Sequence, residues 1–109
     1  MKKILVGLSI IAGLTVSSQA FCDQYGCRQA KITKVYITSD KNVYIGTDGD
    51  ETQANCSSVS NIYFTIPDVT SEKGKVMFSA ILTAQTTNKK IELRTVDGSD
   101  GCQIGYIVL

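Results

Sequence analysis

Any chemistry in this chain has to be done without histidine. The 109 residues include four cysteines, Cys22, Cys27, Cys56 and Cys102, but no His and no Trp. Lacking an imidazole, the chain cannot build a Ser-His-Asp or Cys-His nucleophilic arrangement, and it lacks the commonest transition-metal ligand. Acid–base catalysis would be left to a Ser-Lys pair or to paired carboxylates, and those residue types are common enough here that their nearness carries no signal. We expect no enzyme, no catalytic residues and no cofactor. The acidic loops Asp48-Gly49-Asp50-Glu51 and Asp97-Gly98-Ser99-Asp100 offer the oxygens that calcium takes. Neither follows the D-x-D-x-D-G loop, and Asp-Gly is ordinary turn chemistry. Zinc on four cysteines needs paired knuckles such as C-x2-C, whereas 4, 28 and 45 residues intervene here. No metal site is expected.

The cysteines read better as bridges. Met1-Lys2-Lys3 is a positive start, Ile4 to Val16 is apolar, and Ser18-Gln19-Ala20 is a small-x-small end. That pattern is a secretory signal peptide over residues 1–20, and its apolar run is too short to span a bilayer. No membrane span is expected. A lipidated Cys22 is disfavoured because Phe21 precedes it. Export places the remainder, residues 21–109, in an oxidising compartment, periplasmic or secreted, where an even cysteine count reads as disulfides. Three pairings are open. We favour Cys22–Cys27 across the turn-forming Tyr25-Gly26, with Cys56–Cys102 tying the middle of the chain to its last strand. On the chain-entropy view the long loop contributes about 4 kcal/mol and the short one roughly 2. Small exported domains use such bridges because their cores are marginal.

The rest of the chain must position whatever binds. Phe21 to Gln29 reads as an irregular stapled lead-in. Ala30 to Ser39 reads as a strand with a bulge near Thr33-Lys34, which turns Ile32, Val35 and Ile37 to one face. After a turn at Ser39-Asp40-Lys41-Asn42, residues Asn42 to Gly46 read as a second strand with Val43 and Ile45 inward and Tyr44 outward. Thr47 to Ser58 is a polar loop. Ser60 to Ile66 alternates, with Ile62, Phe64 and Ile66 inward and Tyr63 and Thr65 outward, until Pro67 stops it. Between Val69 and Asn88 the period becomes helical, with Val76, Met77, Ala80, Ile81 and Ala84 on one face, a cap at Thr70 or Ser71, and Asn88 in the left-handed position at its end. Ile91, Leu93 and Thr95 make a one-sided fourth strand. Cys102 to Leu109, apolar on both faces, makes a fifth strand covered on both sides.

Strand–strand–strand–helix–strand–strand is the order of the OB-fold, so the expected class is mainly β, a single OB-like β-barrel domain with one helix. The run Lys75-Val-Met-Phe-Ser-Ala-Ile-Leu-Thr-Ala-Gln-Thr-Thr-Asn-Lys-Lys-Ile-Glu-Leu, followed by Gly101-Cys102-Gln-Ile-Gly-Tyr-Ile, resembles small exported bacterial proteins similar to the subtilase cytotoxin B subunit. Where that group often has Gly before its Lys pair, this chain has Asn88, which also tolerates the left-handed region. The resemblance covers roughly residues 30–109. It implies a glycan- or cell-surface-binding subunit that can form a homo-oligomer, a pentamer in that group, beside an enzymatic partner; no sugar-contacting residue carries over. From the residues themselves, the outward aromatics Tyr36, Tyr44 and Tyr63 are the candidate ligand contacts, since rings stack on sugars. The alternative is a structural or inhibitory exported protein that acts through an interface with another exported protein. Eleven basic against ten acidic residues, and nine against ten without Lys2 and Lys3, leave no charge for a nucleic-acid partner.

Overall fold

The computed structural model describes residues 20–109; the expected signal peptide therefore falls, except for Ala20, outside the described residues. The chain runs β1 (Phe21–Asp23), β2 (Gly26–Ala30), β3 (Ile32–Ile37), β4 (Val43–Thr47), a 3-10 turn (Glu51–Gln53), β5 (Ser57–Ser58), β6 (Phe64–Ile66), α1 (Glu72–Thr86), β7 (Ile91–Thr95), β8 (Asp100–Gly101) and β9 (Ile104–Val108). The strands form a four-stranded sheet β1-β2-β7-β9, a three-stranded sheet β3-β4-β6 and a short parallel pair β5-β8. The fold is mainly β with one helix, as expected, but the sheets do not close into a barrel. The reason lies at the seam: among the described residues the two larger sheets are joined by a single parallel bridge, from Thr65 in β6 to Gln103 just before β9.

Several local expectations are corrected. Phe21 to Gln29 is a regular hairpin in which Cys22 sits opposite Cys27 and β2 extends the sheet onto β7. The strand expected from Ser60 begins only at Phe64, because Ser60 and Asn61 take φ of 52° and 64°. That left-handed pair cannot lie in a strand, and it folds back so that Val59 and Tyr63 exchange backbone hydrogen bonds, both 3.0 Å. Ile62 is consequently exposed rather than inward, and so is Ile37 at the far tip of β3. The fifth strand is not covered on both sides: Tyr106 and Val108 lie open.

The bulge does fall between Ile32 and Lys34. It lets Ile32 and Val35 face the same core as Val43, Ile45, Phe64 and Ile66. The helix starts where Ser71 accepts from the Gly74 N–H at 3.0 Å, satisfying one of its orphan donors. It ends where Asn88, at φ 56°, lets Lys89 N–H reach Ala84 C=O at 2.9 Å and Asn88 N–H reach Gln85 C=O at 3.2 Å, a Schellman closure. Its inner face is Gly74, Met77, Ile81 and Ala84; Val76, expected inward, is 68% exposed, and Ala80 is half-buried. The inner stripe thus follows steps of three and four through Gly74, with Val76 left over at its edge.

Gly74 allows the helix to start against its own lead-in. A Cβ there would lie 2.1 Å from Asp68 C=O and 2.7 Å from Val69 Cα. Gly74→Ala should therefore lower the denaturant midpoint, although helix propensity alone favours Ala by about 1 kcal/mol. A stabilised variant would show that the lead-in yields freely. Disulfides join Cys22 to Cys27 and Cys56 to Cys102. Cys102→Ser should cost about 2–5 kcal/mol in urea unfolding, well beyond Cys27→Ser, since it releases the longer loop.

Candidate functional site

Alternation on β3 and β4 sends one set of side chains into the core and the other outward. On the outer face Tyr36 sits opposite Tyr44, and Tyr44 sits opposite Thr65, which was expected to be exposed but is buried because the chain at Gly101 packs over it. Tyr63 lies two residues before Thr65, on the same face. The three tyrosines singled out from the sequence therefore meet. Ring centroids are 5.9 Å apart for Tyr36–Tyr44, 5.7 Å for Tyr36–Tyr63 and 6.3 Å for Tyr44–Tyr63, all tilted. These separations are those of favourable aromatic pairs. Tyr36 is 51% exposed and the other two are half-buried, so the cluster presents ring surface to solvent.

Gly46, two residues beyond Tyr44 on β4, is packed closely by its neighbours. It pairs with Lys34, and a Cβ there would lie 3.2 Å from Lys34 Cβ and 3.4 Å from Ile62 C=O. A tyrosine pair on neighbouring strands was legible from alternation. The third contact brings in Tyr63, which follows the left-handed turn at Ser60 and Asn61.

The cluster is anchored at the β3–β4 turn. The Tyr44 hydroxyl donates to Asp40 Oδ2 at 3.3 Å. Asp40 Oδ1 accepts from the Thr38 hydroxyl at 2.8 Å and from Asn42 N–H at 2.9 Å. The Thr38 hydroxyl first, then the Asn42 N–H and the Tyr44 hydroxyl, hold the Asp40 carboxyl below its ordinary value of 3.8. Asn42 Oδ1 in turn accepts from Asp68 N–H at 3.2 Å, tying the turn to the helix lead-in. Beside Tyr44 opens a polar hollow of about 170 Å³, to which Asn42, Asp100, Gly101 and Gln103 contribute. Asp40 was read from the sequence only as a turn residue, and Asp100 and Gln103 as loop and strand; nothing in their spacing points to the Tyr44 neighbourhood.

The acidic loop over Asp48–Glu51 has its carboxylates engaged by the chain itself. Asp48 accepts from Lys31 N–H, and Asp50 from Thr52 N–H and its hydroxyl. Glu51, buried, accepts from Thr47 N–H at 2.6 Å and from the Thr47 hydroxyl at 2.7 Å. These are the hydrogen bonds of a folded loop, with every acidic group facing a donor. No helix among the described residues is long and apolar enough to cross a membrane. Comparison with known family models, curated proteins and solved structures finds no match.

Because the folded pKa of Asp40 lies below its unfolded value, the turn's contribution is complete above pH 3.8 and is lost as pH falls through the lower, folded value. NMR titration should give Asp40 a midpoint below 3.8 in the native protein, moving up toward it in Thr38→Val. Identical midpoints in the two proteins would remove the hydroxyl as the main cause.

Proposed function

We propose that this protein is an exported binding protein whose ligand is a glycan, held on the Tyr36–Tyr44–Tyr63 face, and not an enzyme. The observation that carries the reading is the exposed three-ring cluster set beside a polar hollow. Sugar rings offer apolar C–H faces that stack on aromatic rings and hydroxyls that need donors and acceptors at the edge. Asn42, Asp100 and Gln103 supply the second requirement next to the first. The resemblance to the subtilase cytotoxin B subunit points the same way. The two disulfides are at home in an oxidising compartment, which suits periplasmic or secreted life.

Stacking surfaces on the solvent face of a sheet have a property that core aromatics lack. Removing one costs little stability and abolishes the contact it makes. In a glycan array with the purified protein, Tyr36→Ala and Tyr44→Ala should each lose the signal of the native protein. Tm should drop by only a few degrees, because no core cavity is left behind. A native protein that binds no glycan overturns the reading, and so does a Tyr36→Ala protein that binds unchanged.

A further inference from the structure

The tyrosine face carries one sign of charge where its hollow opens. Of the residues that line the hollow beside Tyr44, Asp100 alone is charged. Asp100 is exposed, and among the described residues no hydrogen bond or ion pair engages its carboxylate. A second carboxylate, Asp40, meets the cluster at the Tyr44 hydroxyl, from which it accepts. Asp40 is spent on holding the turn; Asp100 is not. A phenol that donates to a carboxylate is polarised toward its ring, which makes the ring a better partner for a cation.

The lysines of this sheet and its turn do not line the hollow. Lys34 stands opposite Gly46, one row from the Tyr36–Tyr44 pair on the side away from Asn42. Lys41 lies in the turn, where its charge acts on Asp68. The rings themselves form a triangle with sides of 5.9, 5.7 and 6.3 Å. A point just above such a triangle lies roughly 5 Å from all three centroids, inside the reach of cation–π attraction. One small cation seated there is attracted by three rings at once.

We propose that the sugar bound on this face carries an ammonium group, as an amino sugar does, with the cation against the three rings and Asp100 as its counter-ion. The proposal rests on the glycan reading of the same face and names the class of glycan. Asn42 and Gln103 then serve the neighbouring hydroxyls. Asn42 Oδ1 already accepts from Asp68 N–H, which leaves its amide N–H groups to donate into the hollow. An acidic sugar meets the opposite conditions, because its carboxylate faces Asp100 and the negative faces of the rings. An N-acetylated sugar keeps the stacking and loses both attractions to the charge.

NMR titration of the oxidised protein at about pH 6, where amines are protonated, compares the glucosamine trimer with its N-acetylated counterpart. The native protein should bind the free-amine trimer about tenfold more tightly, by a ratio that shrinks as salt is added. Asp100→Asn, nearly isosteric and at an exposed position, should keep the native circular dichroism spectrum. It should cut the ratio to about threefold or less and leave binding of the N-acetylated trimer unchanged. Tyr36→Ala should weaken both trimers. Equal binding of the two trimers, a ratio that survives Asp100→Asn, or array signals confined to glycans without an amine would overturn the ammonium and leave the glycan reading in place. A native protein that binds neither trimer nor any arrayed glycan overturns both.

Discussion

The arrangement depends on a three-residue seam. Gly101 and Cys102, at φ of 82° and 49°, turn the chain sharply against β6. There the Thr65 hydroxyl donates to Gly101 C=O at 2.7 Å and Thr65 N–H donates to Cys102 C=O at 3.0 Å. Cys102 is fully buried and bonded to Cys56, which fixes the polar middle of the chain to the same point. The two larger sheets share no ladder, so these contacts, with the core between them, are what hold them in register. The bridge acts mainly on the unfolded chain, while the two hydrogen bonds give the buried Thr65 hydroxyl and N–H their partners. The polar hollow beside Tyr44 exists because Asp100, Gly101 and Gln103 are brought to β6 by this seam.

Much of this was legible because alternation and helical period are direct consequences of burial. Val43, Ile45, Phe64 and Ile66 were read as inward and are buried, and the helix with its Asn88 closure follows from a period and a left-handed-tolerant residue at the right place. What failed did so for local reasons. Ser60 and Asn61 hold no apolar side chain to report their backbone, so the turn they make was hidden inside an alternating run. β1 and β2 are short, and their pairing is set by Cys22 facing Cys27 rather than by periodicity. The closed barrel was inferred from element order, which does not say whether the last strand meets the third along its length or at one bridge. In the candidate site, alternation turned Tyr44 and Tyr63 outward. The contact between Tyr63 and Tyr36 spans β4 and follows the left-handed turn at Ser60 and Asn61, which alternation does not report.

The tyrosine face and the β9 edge place different demands on the same small domain. A binding platform profits from rigidity, since side chains already held in place lose little entropy when a ligand arrives. Tyr36, Tyr44 and Tyr63 meet this by packing on one another, by the Asp40 contact to the Tyr44 hydroxyl, and by standing on strands whose other faces form the core. The β9 edge is the reverse case. Its backbone groups and apolar side chains gain most when something is added to them, and its lack of charge does nothing to keep strands away. Because the two surfaces belong to different sheets joined at Thr65, occupying one leaves the other accessible.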